Sequence, residues 1–194
     1  MLILRDLHAG PARFKDLQTG LTGIASNLLT DRLHALEVSG LIRKYEAEFG
    51  VSLYALTELG ERTGDMIFEL ARFGSRMPRP SKTNRPGTLR TVAVSLGTAC
   101  KRAVTQEHDF EATLTIDGEA FRLNARDGDV QIRAGAAESP DVVMTTSYEP
   151  MMAFSDGEME QSQFMSSHVK LEVHTPGKEA EFFDLFSRAI REFD

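Results

Sequence analysis

"LTGIASNLLTDRLHALEVSGLIRKY" (residues 21–45) is a short amphipathic stretch between two glycines, Gly23 and Gly40, that runs into a basic segment. Ala25, Leu29, Leu33 and Leu36 recur at i, i+4, i+8 and i+11, which predicts a helix with a narrow buried stripe. Gly40 suits the left-handed residue that ends such a helix. The opposite face offers Ser26, Asn27, Thr30, Asp31 and His34, all small and polar. Two readings are open. The face is simply solvated, as helix surfaces commonly are, or it meets a ligand that hydrogen-bonds short polar groups, such as the edges of bases.

The flanks extend the pattern. Leu2, Ile3 and Leu7 predict a helix that Gly10-Pro11 stops, and "ARFKDLQT" one that turns Phe14 and Leu17 inward. After Gly40, "LIRKYEAEF" and "VSLYALT" read as two strands around a turn at Gly50. "TELGERTGDMIFELARFG" predicts one long helix capped by Thr57, with Ile67, Leu70 and Phe73 inward. Helix, turn, helix and a basic hairpin is winged-helix organisation. In it the second helix lies in the major groove and the hairpin lays cations on phosphates. Base contacts are expected from Ser26, Asn27, Thr30, Asp31 and His34, with Asp31 accepting from a cytosine amine. Phosphate contacts are expected from Arg43 and Lys44, and from Arg13 and Lys15 at the start of the preceding helix.

"RMPRPSKTNRPG" (Arg76–Gly87) has three prolines and no apolar period, so it reads as a linker. The expected organisation is a winged-helix domain at 1–76, a linker at 77–87 and a second domain at 88–194. The charge agrees. Met1–Pro86 holds 12 basic and 10 acidic residues, and the remainder holds 10 and 19, within a net charge of -7. DNA repels an acidic half, so any DNA contact falls to the first.

After the linker the period changes to two. "DFEATLTIDGEAFRLNARDGDVQIRA" alternates through Phe110, Ala112, Leu114 and Ile116, then Phe121, Leu123 and Ala125, then Val130 and Ile132. Asp117-Gly118 and Asp127-Gly128 suit type I′ hairpin turns, so a three-stranded meander is expected. "DVVMTT" and "HVKLEV" add strands, and helices flank them, giving an α+β class. Met144, Met151, Met152, Met159 and Met165 fall close together among Phe154 and Phe164, followed by Phe182, Phe183 and Phe186. Such a set is either an ordinary core or the adaptable wall of an apolar site.

Hydrophobic content of 41% and charged content of 26% predict folded, soluble domains. No run approaches a membrane span, and "MLILRDLHAGP" lacks the cationic leader of a secretory signal, so a cytoplasmic protein is expected. The single Cys100 can form no internal disulfide. It falls on the apolar face of its helix and reads as a buried thiol, with Lys101 and Arg102 as the neighbours that would activate it. The five histidines show no ligand spacing, so neither metal nor cofactor is expected.

Two resemblances sharpen these readings. "ILRDL", "GPARFKDL", "LTGIASNLLTDRLHALEVSGLI" and "YALTELG" stand at consistent spacing over residues 2 to about 75. There the chain resembles the HxlR-type winged-helix transcriptional regulators, relatives of the MarR group. The resemblance implies a cytoplasmic regulator that binds double-stranded operator DNA as a homodimer, with the opening stretch as recognition helix. That family normally begins one helix earlier, with a tryptophan-containing segment. The chain starts inside it, so part of the dimer-forming helix is expected to be missing.

"SPDVVMTTSYEPMMAFSDGEMEQSQFMSSHVKLEV" resembles the sterol-carrier-protein type 2 fold. Ser166-Ser167 stands where that fold usually has a glycine. The likeness implies an apolar ligand held between sheet and helices. Met151, Met152, Phe154, Met159 and Phe164 are expected to line the pocket, with Phe182, Phe183 and Phe186 closing it.

The reading is a transcriptional regulator responsive to an apolar molecule. The alternative is a lipid carrier whose winged helix serves dimerisation or protein interaction. An enzyme is not expected, since no acid–base pair, nucleophile motif or phosphate loop stands out. Met66, Ile67, Leu70 and Phe73 offer more apolar surface than one small domain buries, so that helix, with the residual N-terminal segment, is expected to form the homodimer.

Overall fold

The computed structural model describes residues 1–21, 23–47, 50–75, 77, 88–155 and 157–193. The chain forms two compact units, Met1–Ser95 and Leu96–Asp194, and the division falls within the helix that spans Thr88–Ala103. The linker expected at 77–87 lies outside the described residues except for Met77.

The first unit runs α1 (Leu2–His8), α2 (Phe14–Gly20), α3 (Ser26–Val38), β1 (Ile42–Ala47), β2 (Val51–Leu56), α4 (Glu58–Glu61) and α5 (Thr63–Ser75). β1 and β2 are antiparallel, and Ala12 adds a bridge to Tyr54 of β2. Ile3, Leu4, Leu7, Leu17, Leu29, Leu33 and Ile42 form one core. Leu17 and Leu29 are fully buried, each contributing about 1.5–3 kcal/mol relative to exposure. On α1 the expected stripe is rotated by one residue. Leu4 is buried and Leu2 is exposed, because Ile3, Leu4 and Leu7 share the face toward the core.

α3 ends as its sequence predicts. Gly40 takes φ +71°. Its N–H donates to the Glu37 carbonyl, and the Leu41 N–H donates to the Leu36 carbonyl. That pair of bonds satisfies two orphan carbonyls and turns the chain into β1. Ala25, expected on the buried stripe, is instead the exposed residue preceding the helix.

The single long helix expected after Thr57 is two helices. Thr57 caps α4 by accepting from the Gly60 N–H at 3.1 Å, and its own hydroxyl donates to the Gly40 carbonyl at 2.6 Å. The Thr63 hydroxyl donates to the Gly60 carbonyl at 2.6 Å, satisfying a group at the end of α4 before α5 begins. On α5, Ile67 and Phe68 are buried, whereas Leu70 and Phe73 are exposed. The inward placement expected for Leu70 and Phe73 is therefore wrong. Phe68 fills the space inside, and the apolar excess points out.

The second unit continues from α6 (Thr88–Ala103) through β3 (Phe110–Ile116), β4 (Glu119–Arg126), β5 (Asp129–Ala134), β6 (Val142–Thr146), α7 (Tyr148–Ser155), α8 (Gln161–His168), β7 (Lys170–Val173) and α9 (Lys178–Arg191). The sheet order is β5-β4-β3-β6-β7, with β3 and β6 parallel and the other pairs antiparallel. Asp117, Gly118, Asp127 and Gly128 all have positive φ, the conformation type I′ turns require. Every residue expected inside the meander is buried, from Phe110 to Ile132. α9 meets this apolar face through Phe182, whose ring lies 5.8 Å from that of Phe110. The other face carries Glu111, Arg122, Asn124 and Gln131, in register across β3, β4 and β5. This is the expected α+β class, a winged helix joined to a sheet-and-helix unit.

Candidate functional site

α3 presents an outward surface. Leu29 and Leu33 anchor it and Leu36 is half-buried, while Ser26, Asn27, Leu28, Thr30, Asp31, Arg32, His34, Ala35 and Val38 are exposed. Helical geometry sets Asn27, Asp31, His34 and Val38 roughly opposite the buried leucines. The polar groups are partly committed. Gln18 Nε2 donates to the Ser26 hydroxyl at 2.6 Å, fixing α2 against the start of α3. Asn27 Oδ1 accepts from the Leu28 N–H, which leaves the amide nitrogen free to donate outward. The Thr30 hydroxyl donates to the Ser26 carbonyl, which leaves it an acceptor. Arg32, Leu28, Ala35 and Val38 were not among the expected contacts.

The wing strand separates its two cations. Arg43 and Lys44 are both exposed but alternate on β1, so they leave opposite faces of the hairpin. The Arg43 guanidinium lies 5.3 Å from the Tyr45 ring and the Lys44 ammonium 5.8 Å from the Tyr54 ring. These ring contacts hold each long side chain near the strand without burying its charge. Arg13 and Lys15 are exposed at the start of α2. There Asp16 Oδ2 accepts from the Arg13 N–H at 3.0 Å and closes the first turn.

The apolar residues of the second unit gather in two clusters. Phe154 of α7 stacks on Phe164 of α8 at 4.8 Å. Phe182 contacts Phe110, Phe183 and Phe186 within 5.8 Å. Met151, Phe164, Phe182 and Phe186 are buried, and Met152, Phe154, Met159 and Phe183 are half-buried. α7, α8 and α9 thus hold apolar side chains that remain partly accessible.

Two titratable groups in this unit have structural explanations. His108 is buried and its Nδ1 accepts from the Thr105 N–H at 2.9 Å. The ring proton then sits on Nε2 and is donated to Asp184 Oδ2 at 3.1 Å. Asp184 also accepts from Arg188 at 2.7 Å, so α9 is pinned to the loop before β3. Cys100 is fully buried, and burial pushes its thiol up to about 12. A thiol held that high stays protonated near neutral pH and is a poor nucleophile. Iodoacetamide should leave Cys100 unmodified in the native protein and alkylate it fully in denaturant, as read by mass spectrometry. Rapid native labelling would contradict the buried placement. Among the described residues no group of His, Cys, Asp and Glu is arranged to hold a metal, and no helix is long and apolar enough to cross a membrane.

No curated protein matches the sequence. Among solved structures, the reduced form of the transcriptional regulator YodB from B. subtilis is 25% identical over 42% of this chain and 81% of that chain, with a TM-score of 0.38. The sterol carrier protein domain 2 of Helicoverpa armigera is 18% identical over 57% of this chain and 96% of that chain, with a TM-score of 0.43. The stereoselective inverting sec-alkylsulfatase Pisa1 from Pseudomonas sp. is 18% identical over 56% of this chain but only 18% of that chain, with a TM-score of 0.41. Residues 1–82, which contain the exposed helix and its wing, match the family of HxlR-like helix-turn-helix domains.

Proposed function

We propose that this chain is a non-enzymatic, cytoplasmic transcriptional regulator. It binds operator DNA as a homodimer through the first unit and responds to an apolar small molecule held in the second. The observation that carries the reading is α3. It is a helix anchored on one side only, whose free side carries Asn27, Thr30, Asp31 and His34, in a unit matching the HxlR-like helix-turn-helix family. A helix of that kind fits the major groove, where base edges present donors and acceptors. Gel shift with the DNA upstream of its own coding sequence, titrated against random DNA, tests the reading. Failure to bind any duplex would favour the carrier alternative.

The residues divide by role. Arg43 contacts phosphate, so Arg43→Ala should weaken binding to all sequences and reduce the salt slope by about one unit. Asn27 contacts a base, so Asn27→Ala should cost roughly 1–3 kcal/mol on the specific site and little on random DNA. Equal losses for both variants on random DNA would overturn the division.

The ligand enters the second unit among Met151, Met152, Phe154, Met159 and Phe164, with Phe182, Phe183 and Phe186 as closure. Methionine suits a wall that must repack around different apolar shapes. A ligand at a hundredfold excess over its Kd should stabilise the folded protein by about 2.7 kcal/mol. Melting temperature followed across fatty acids and isoprenoids, with and without DNA, is the measurement. If DNA and ligand are linked, each changes the affinity of the other by one common factor. No shift across a broad apolar panel would reduce this unit to a structural role.

A further inference from the structure

We propose that Asp31 sets base identity in the DNA site by selecting cytosine and rejecting the other three bases; this rests on the DNA-binding reading of α3. Asp31 is exposed at the middle of the outward face, with Asn27 one turn before it and Ala35 one turn after. No ion pair engages it among the described residues, and it is the one acidic residue between Asn27 and Ala35. A bare carboxylate on a surface that approaches phosphates is repelled unless a donor meets it.

The major groove offers only two base donors, cytosine N4 and adenine N6. Adenine places the N7 acceptor beside its amine, and that lone pair repels a second carboxylate oxygen. Cytosine places an apolar C5–H there. Thymine and guanine present carbonyl oxygens, which repel the carboxylate directly. Thr30, whose proton goes to the Ser26 carbonyl, is left a neutral acceptor, weaker toward the cytosine amine than the Asp31 carboxylate. The free Asn27 amide nitrogen can only donate, so it does not compete for that amine. Asn27 therefore suits an acceptor on an adjacent base.

Selection from randomised duplexes, with the full chain and with Asp31→Ala and Asp31→Asn, tests this. The wild type should prefer cytosine at one position of each half-site by roughly tenfold over thymine. Both variants should lose that preference to within about twofold while keeping the others, and should bind random DNA more tightly by about two- to threefold, because a negative charge has left the interface. Asn and Asp have similar helix propensity and Ala a higher one, so Asp31→Asn should keep the wild-type melting temperature and Asp31→Ala should keep or slightly raise it. A second arm uses N4-methylcytosine. The unmethylated N4 hydrogen is needed to pair with guanine, so the methyl group points into the major groove. Methylation of the selected cytosine should weaken the wild type by about tenfold and leave Asp31→Ala unaffected. Binding with an unchanged base preference in the variants, or equal sensitivity to methylation, overturns this role alone. Absence of binding to any duplex overturns the DNA-binding reading with it.

Discussion

Phe73→Glu should convert the protein from dimer to monomer in sedimentation velocity and weaken operator binding by about a hundredfold or more. Met66, Leu70 and Phe73 follow one another at i, i+4 and i+7 on α5 and are 58%, 56% and 67% exposed. Helical spacing puts them on one stripe. We propose that this exposed apolar stripe is a contact surface. A second copy of the same stripe is the partner proposed, because a two-fold axis brings two α3 helices to successive major grooves about 34 Å apart. Glutamate on that stripe would have to lose its water on entering the contact. Since Phe73 contributes little to the monomer core, the variant's monomer should keep wild-type stability within about 0.5 kcal/mol. Ile67, expected on the same contact, is buried within its own unit. Ile67→Glu should therefore unfold the unit rather than split the dimer. A Phe73→Glu protein that remains dimeric would move the interface elsewhere.

Gly60→Ala should destabilise the first unit by about 3 kcal/mol or more. A Cβ at Gly60 would overlap the Leu41 carbonyl oxygen and crowd Leu56. Neither side can yield cheaply. That carbonyl already accepts from the Thr57 N–H at 3.1 Å, and the Gly60 N–H is held by the Thr57 hydroxyl. Moving α4 away breaks the cap and the bond to the strand entrance together. Gly74 is the control. It lies in α5, and a Cβ added there would meet nothing within 4 Å, so Gly74→Ala should be neutral or stabilise by up to about 1 kcal/mol. Urea denaturation with amide exchange in β1 and β2 separates this unit from the other. A Gly60→Ala variant within about 0.5 kcal/mol of wild type would show that the close approach is not maintained in solution.

Local rules in the sequence determined the elements that carry their own instructions. Asp-Gly twice, each with alternating apolar residues on both sides, allowed one hairpin geometry and hence one meander. Gly40 after a leucine stripe allowed one helix end. The small polar set on α3 was legible for the same reason, since periodicity separates an anchored side from a free one before any partner is known.

Tertiary structure alone decided what depends on competition for space. Leu2 or Leu4, Leu70 or Phe68, are equivalent as apolar residues in a periodic run. Which of them goes inside depends on the neighbour that arrives from a distant part of the chain. The break between α4 and α5 was hidden because Thr63 is an ordinary helix residue until its hydroxyl finds the Gly60 carbonyl. Arg43 and Lys44 were expected alike to contact phosphate, yet strand alternation sends them to opposite faces. The pairing of Phe154 with Phe164, and of Phe182 with Phe110, joins residues on different elements. Period and turn chemistry act within a few residues, whereas burial is settled by packing among residues far apart in the chain.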